Sequence, residues 1–167
     1  MAKILRPQRH TLLIVHEGYA EECLLAHLKA LYVPRNSGIA VSMQNARGGG
    51  GQHVLNHALR VRRRTAYDEI AILTDTDQDW DDAQRQRAIA GHIHAVESSP
   101  CLEAWLLDAN GHQARGNGAQ IKRQFEVVYG GVAHDPRVYP RNFPRELLDN
   151  ARSRVSALDQ ILRLFRA

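Results

Sequence analysis

Short apolar runs along the chain alternate with segments whose apolar residues recur at helical spacing. The runs at 11–16, 39–43, 69–73 and 93–96 have the length and the β-branched content of buried strands. A segment of helical character follows each of the first three runs. Strands that alternate with helices in this way form βαβ units. The pattern therefore predicts an α/β fold, with a Rossmann-like, mostly parallel central sheet of about four strands flanked by helices.

The chain beyond the fourth strand is predicted to be helical. Helices are expected at 101–107, at 119–129 and at 145–165, and the last carries an apolar stripe at 3.6-residue spacing. Such a stripe is more often packed on its own domain than used as a dimer interface. The stripe comprises Leu147, Leu148, Ala151, Val155, Leu158, Ile161, Leu162 and Phe165.

Length and composition favour one cytoplasmic domain. The chain has 167 residues, of which 44% are apolar, and this is enough for a single core. We expect one domain over 1–167, with its core at 11–108 and a helical C-terminal extension at 117–167. No run reaches the roughly 20 apolar residues of a membrane span. The basic stretch 1–10 is not followed by the apolar segment of a secretory signal.

Charge is distributed unevenly: acidic residues cluster in one short stretch, and basic residues are concentrated in other parts of the sequence. The net charge is +4, but five aspartates fall within 75–82, whereas arginines are concentrated at 60–64 and in the C-terminal third. These basic residues suit a polyanion that is bound through its phosphates, although arginines scattered over helices more often form only a solvated surface.

Carboxylates follow two of the predicted strands. Glu17 lies just beyond the first strand and Glu21 one helical turn later, while Asp75 and Asp77 end the third strand. Ligand sites of open parallel sheets lie outside the carboxyl ends of the strands, so these side chains are expected to share a crevice. Unpaired carboxylates require a cation or an arginine, and their oxygens suit a hard octahedral ion. The sequence therefore predicts a site for Mg²⁺ (or Mn²⁺).

Other sites built from similar residues are disfavoured. The aspartates match the start of an EF-hand loop, but Trp80 and Gln86 occupy positions that require Gly and Glu. The run 48–51 lacks the GK[ST] of a phosphate loop, and is either a turn that lets the backbone approach a strand or a phosphate, or a flexible loop. Three further acids are interpreted as complements to the next helix N-terminus: Asp79, Asp81 and Asp82.

A zinc site is a further alternative. His92 and His94 would lie on one face of the fourth strand, but no third ligand has recognisable spacing, and catalytic zinc normally has three protein ligands. Cys23 and Cys101 lack CxxC spacing and are expected to be reduced core thiols.

Three motifs follow one another in a defined strand context. They are Leu13-Ile-Val-His-Glu-Gly-Tyr-Ala-Glu-Glu22, Leu73-Thr-Asp-Thr-Asp77 and Ser98-Ser-Pro-Cys-Leu-Glu-Ala-Trp-Leu-Leu107. In this order, over about 12–107, the chain resembles RloB-like proteins of the Toprim superfamily, which are related to the nuclease domains of the OLD family. The resemblance implies a Toprim-like fold and a Mg²⁺-dependent endonuclease that acts on DNA or RNA, in phage-defence or restriction-associated systems with a possible partner protein.

The resemblance also implies roles for individual residues. Two ions or one ion would be held by the acidic set Glu17, Glu21, Asp75, Asp77 and Glu103. Among these, Glu17, Asp75 and Asp77 would be catalytic, and Ser99 would orient a carboxylate or a water. Candidates for binding the phosphates of the nucleic acid are Arg47, Arg62, Arg63, Arg64, Lys122 and Arg123.

The chain departs from the family pattern at several positions. Ala20 replaces a common threonine, and Ser99 and Leu102 replace asparagine and phenylalanine, but the carboxylates are kept. Tyr19 stands where short Toprim ribonucleases of ribosomal RNA maturation usually have lysine, which disfavours that activity. Topoisomerase and primase activities are not expected, because their accompanying modules are missing.

Two rival hypotheses remain at this point. One is a non-catalytic Toprim-like module that binds metal in the acidic crevice and uses its basic residues for nucleic acid or a partner. The other is an α/β domain whose aspartates pair with its own arginines, which predicts no dependence on magnesium.

Overall fold

The computed structural model describes residues 8–167, and residues 1–7 of the basic N-terminal stretch lie outside the described residues. In chain order the elements are β1 (His10–His16), α1 (Tyr19–Tyr32), β2 (Ile39–Asn45), α2 (Gly50–Arg64), β3 (Glu69–Asp75), α3 (Asp82–Ala90), β4 (His94–Ser98), α4 (Leu102–Ala109), α5 (Gly118–Tyr129), α6 (Val138–Asn142), α7 (Arg145–Ala151) and α8 (Ser156–Leu164).

The strands form one parallel sheet in the order β2-β1-β3-β4. The predicted α/β class, with a four-stranded parallel sheet flanked by helices, is confirmed. The chain steps from β1 to β2 on one side and then crosses to β3 on the other side, so the winding reverses between β1 and β3. Such a reversal opens a crevice at the carboxyl edge of an α/β sheet. Glu17 follows β1 and Asp75 ends β3, at this edge.

Helices cover both faces of the sheet. Leu12 and Ile14 of β1 belong to an apolar cluster with α1, α4 and the C-terminal helices, whereas Leu13 and Val15 belong to a second cluster with α2 and α3. All four residues are at most 1% exposed. Continuous apolar strands of this kind are typical of parallel sheets buried on both sides.

The C-terminal helices pack on the same face as α1. The stripe predicted within 145–165 is buried in that cluster, with Leu147 partly buried at its margin. The prediction that this stripe faces the chain's own core is therefore confirmed.

The predicted single helix at 145–165 is wrong, because the chain breaks between α7 and α8. Arg154 donates from Nη2 to the carbonyl oxygen of Ala109 at 2.8 Å, and Arg152 donates from Nε to Asp159 Oδ1 at 3.1 Å. These contacts hold a turn at 152–155. The apolar spacing continues across the turn, so periodicity could not reveal it.

Smaller differences concern the fourth strand and the cysteines. His92 precedes β4 and has a φ of 54°, so it does not share a strand face with His94 as predicted. Both cysteines are free, as expected, but only Cys101 is fully buried, and Cys23 is half-buried. Burial raises the pKa of the Cys101 thiol to about 12. Within residues 8–167, no helix has the length and apolar character that crossing a bilayer requires.

Candidate functional site

A cleft of about 1110 Å³ opens at the carboxyl edge of the sheet, where β1 and β3 end. It is lined by residues from both strand ends, from the first turns of α1 and α4, and from α5. All five predicted metal ligands are among them: Glu17, Glu21, Asp75, Asp77 and Glu103. The structure thus brings together carboxylates that are up to 86 positions apart in the sequence.

The glycine run 48–51 holds Glu17 in place. The backbone N–H of Gly50 donates to Glu17 Oε1 at 3.1 Å, and the N–H of Gly48 donates to the Glu17 carbonyl oxygen at 2.9 Å. Gly48, Gly49 and Gly50 have φ values of 82°, 89° and 73°, which favour glycine. Of the two interpretations left open for this run, the structure selects the turn that approaches a strand end.

Glu21 is buried at the start of α1 and is only 7% exposed. Its Oε2 accepts a hydrogen bond from the Gly18 N–H at 3.0 Å, which fixes the side chain over the helix N-terminus. Burial raises the pKa of the Glu21 carboxyl, and the charges of Glu17 and Glu103 raise it further. Glu21 therefore lies near the other acids, and its own side chain is held by the backbone.

Asp75 and Glu103 approach the cleft from different elements. Asp75 Oδ1 and Glu103 Oε2 are buried and accept no hydrogen bond from the described residues. Burial raises the pKa of Asp75 to about 8, and Glu21, Glu103 and Asp77 add to the rise through their charges. Buried carboxylate oxygens are rarely left without a partner, because desolvation is costly.

Helix α5 forms one wall of the cleft. Gly118 lies in its first turn, and a Cβ there would be 2.8 Å from Asp77 Oδ2, so the absence of a side chain allows Asp77 to approach. Lys122 lies one turn later on the same face and also lines the cleft. Burial by itself lowers the pKa of Lys122, but Glu103 and Asp75 raise it above its ordinary value. Lys122 is therefore a firmly charged ammonium among the acids.

Ser99 is not among the residues that line the cleft. Its Oγ accepts a hydrogen bond from Thr76 Oγ1 at 3.2 Å, and the side chain is exposed. The preceding Ser98 is buried and accepts a hydrogen bond from Trp105 Nε1 at 3.0 Å. The structure therefore places Ser99 in contact with the loop after β3 rather than with a carboxylate.

The basic candidates fall into two groups. Arg47 and Lys122 line the cleft, whereas Arg123 does not. The run 62–64 forms the last turn of α2, a 15-residue helix whose other end lies at the cleft. At about 1.5 Å per residue, these arginines are roughly 20 Å from the site along the helix axis. They can contact only a distant part of an extended polymer.

The other aspartates of 75–82 have separate explanations. Asp81 caps α3 by accepting a hydrogen bond from the Gln84 N–H at 3.0 Å, and Asp82 pairs with Arg85 at 2.7 Å. Asp79 lies instead against the first turn of α2, where a Cβ on Gly50 would be 3.1 Å from its Oδ2. The prediction that these three acids complement the N-terminus of the next helix is therefore confirmed for Asp81 and Asp82, which lie at the start of α3, but not for Asp79.

The cleft acids form no ion pair with an arginine of residues 8–167. Ion pairs within residues 8–167 involve other carboxylates, and none of them includes Glu17, Glu21, Asp75, Asp77 or Glu103. Salt bridges to arginines of the described part of the chain therefore do not neutralise this cleft.

The donor set fits magnesium, although it is not a preformed cage. Over residues 8–167, no three His, Cys, Asp or Glu side chains are arranged so that they could hold an ion by themselves. Magnesium usually takes one or two carboxylates and completes its shell with water and substrate phosphates. Asp75 and Glu103, each with a buried oxygen that accepts no hydrogen bond from residues 8–167, supply such a pair.

Several cleft residues were not singled out from the sequence. Glu126 and His134 line the cleft and Gly118 lies against Asp77 at its margin; all three come from segments without a recognisable motif, and only the fold brings them to the carboxyl edge. The spacing of Gly118, Lys122 and Glu126 at four-residue intervals is a signal for one helix face, but it does not indicate what that face meets. Comparisons with family models, with curated proteins and with solved structures give no match for this chain.

Proposed function

We propose that the chain is a magnesium-dependent phosphodiesterase that cleaves nucleic acid. The observation that carries the proposal is the pair Asp75 and Glu103, which line one cleft and each bury an oxygen that accepts no hydrogen bond from the described residues. Carboxylates this close together favour binding of a cation, and the position at the carboxyl edge is where α/β sheets bind ligands. Mg²⁺ would be held by Asp75 and Glu103, with Asp77 and Glu21 close by.

The residues of the cleft have distinct roles in the proposed reaction. When bound, Mg²⁺ supplies charge neutralisation on the phosphate and makes an attacking water more acidic. Glu17 is fixed through Oε1 by the Gly50 N–H, so its Oε2 is positioned to accept the proton of that water. Lys122 and Arg47 bind phosphate oxygens of the substrate from the rim. Gly118 has no side chain and so leaves room for the carboxylate of Asp77 beside α5.

The proposed partner is DNA or RNA, and the proposed setting is a cytoplasmic defence or restriction-associated system. The resemblance to RloB-like and OLD-type Toprim nucleases supports this setting. The position of the carboxylates in the cleft agrees with the roles that the resemblance implies for them.

The test uses supercoiled plasmid, single-stranded oligonucleotides and structured RNA, each with Mg²⁺, Mn²⁺ or EDTA. We expect cleavage that requires the metal and that disappears in the Asp75→Asn, Asp77→Asn double variant. Glu146→Gln is the matched control, since Glu146 is an exposed acid of α7 outside the cleft. Cleavage that persists in EDTA, or equal cleavage by the double variant, would refute the proposal.

A second candidate is a non-catalytic module that binds nucleic acid or a partner. It is favoured by the lack of three convergent ligands within residues 8–167. It predicts Mg²⁺ binding without cleavage of any polymer. Isothermal titration with Mg²⁺, carried out beside the cleavage assay, separates the two candidates.

A further inference from the structure

The cleft carries far more negative than positive charge. Its described lining contains seven carboxylates but only two permanently basic side chains, Arg47 and Lys122. One divalent cation and two basic side chains offset only part of this charge, so phosphates entering the cleft gain less attraction than they would in a basic groove. A nucleic acid therefore gains from an uncharged contact close to the acids, and stacking of a base on an aromatic ring is such a contact.

Tyr19 offers that contact. It is the first residue of α1, it lines the cleft two positions after Glu17, and 73% of its surface is exposed. Within residues 8–167, its hydroxyl makes no hydrogen bond and its ring meets no other aromatic ring. The backbone beneath it is fixed, because the Gly18 N–H is bonded to Glu21.

Other exposed apolar side chains do not share this position. Ile89 lies on α3, and Val127 and Val128 lie on α5, but none of them lines the cleft. Tyr19 combines a large free ring, an ordered backbone and a place beside Glu17. An exposed ring in this position is suited to stacking on a flat ligand.

We propose that Tyr19 stacks on an unpaired base next to the phosphate that is cleaved, so that the substrate is single-stranded nucleic acid. This inference rests on the proposed nuclease function. A base within a duplex is already stacked on both sides, so an aromatic side chain can stack only on a base that is unpaired or splayed out. The cleft volume of about 1110 Å³ is close to that of sites for single small ligands, so it admits one or two nucleotides rather than a section of duplex.

Binding is tested separately from cleavage. A single-stranded oligonucleotide containing 2-aminopurine is titrated with protein in Ca²⁺ in place of Mg²⁺, and gel analysis verifies that it stays intact. Stacking quenches the fluorescence of the base. We expect Tyr19→Ala to weaken binding roughly 5- to 100-fold, and Tyr19→Phe and Tyr19→Trp to retain it. Val127→Ala is the control, since Val127 is 80% exposed and lies outside the cleft.

Cleavage rates on matched single-stranded and duplex substrates complete the test. We expect a preference for single strands that Tyr19→Ala reduces at unchanged thermal stability. Equal binding by Tyr19→Ala and Val127→Ala, or a wild type that prefers duplex, overturns the stacking proposal and leaves the nuclease function standing. Tyr19-dependent binding without cleavage of any substrate supports the stacking site and overturns the nuclease function.

Discussion

Asp75 at the end of β3 and Glu103 in the first turn of α4 each bury a carboxylate oxygen that accepts no hydrogen bond from the described residues. The segment after β3 and the segment before α4 are joined by the carbonyl oxygen of Pro100, which accepts from the N–H groups of Thr76 and Asp77 at 3.1 and 3.2 Å. The backbone thus holds two carboxyl groups near each other at a cost in stability when both are ionised, as sites built for a cation commonly do.

The first prediction concerns the pH dependence of stability without metal. Burial raises the pKa of Asp75 to about 8, from 3.8 for an ordinary aspartate. The folded protein therefore holds the carboxyl proton of Asp75 more tightly than the unfolded chain does. The contribution of this proton to the free energy of unfolding is complete below about pH 4 and is lost as pH rises through about 8. In EDTA, Asp75→Asn should raise the free energy of unfolding by roughly 1–3 kcal/mol at about pH 8.

Urea unfolding followed by circular dichroism measures this effect at several pH values. Glu146→Gln, which neutralises an exposed acid, serves as the control and should follow the wild type. A wild type whose stability is the same at about pH 5 and about pH 8.5 would contradict a raised pKa at Asp75.

The second prediction concerns stabilisation by the metal. An ion that binds the folded state alone stabilises it by about 2.7 kcal/mol when its concentration is 100 times Kd. Mg²⁺ should therefore raise the Tm of the wild type, and Glu103→Gln should remove most of that rise because one oxygen of the proposed pair is lost. Differential scanning calorimetry at increasing Mg²⁺ checks this. An equal rise in the variant would assign the metal to other residues.

The third prediction separates two neighbouring basic residues. Both are exposed, but Lys122 lines the cleft close to Asp75 and Glu103, whereas Arg123 lies outside it. Lys122→Met should reduce cleavage roughly 10- to 100-fold because a phosphate contact is lost. The same change should tighten Mg²⁺ binding, since a competing positive charge is removed.

Arg123→Met is the matched control, and it should change neither the cleavage rate nor the affinity for Mg²⁺ by more than about twofold. Steady-state cleavage and calorimetric metal titration give the two readouts. Similar losses of cleavage in Lys122→Met and Arg123→Met would mean that the positive charge of α5 attracts the substrate as a whole and that Lys122 makes no particular contact in the cleft.

The fourth prediction concerns Gly118. A methyl group there would be 2.8 Å from Asp77 Oδ2, so Gly118→Ala should displace the carboxylate and reduce metal-dependent cleavage about tenfold or more. Stability should be unchanged or slightly higher, because alanine favours helix over glycine by up to about 1 kcal/mol. Ala119→Gly is the reverse control, with lower stability and normal cleavage. Full activity of Gly118→Ala would show that the approach of Asp77 is unimportant.

The sequence by itself determined the order of the elements and the two main acidic positions. Apolar runs of strand length and helical spacing are local properties, so the starts of β1, β2 and β3 agree with the prediction to within one residue, whereas β2 and β3 continue two residues further than predicted. Glu17 and Asp75 could be assigned to one edge because parallel strands all present their carboxyl ends there. The break at 152–155 escaped prediction because the apolar pattern continues through it.

Only the tertiary structure decided which side chains meet. The strand order places the reversal between β1 and β3, and this order depends on long-range pairing that no local pattern specifies. Gly118 and Lys122 reach the acids because α5 packs on the α1 face, while the run 62–64 is carried to the far end of α2. Periodicity reports which face of an element is buried, but burial against a particular partner is settled by the packing of the whole chain.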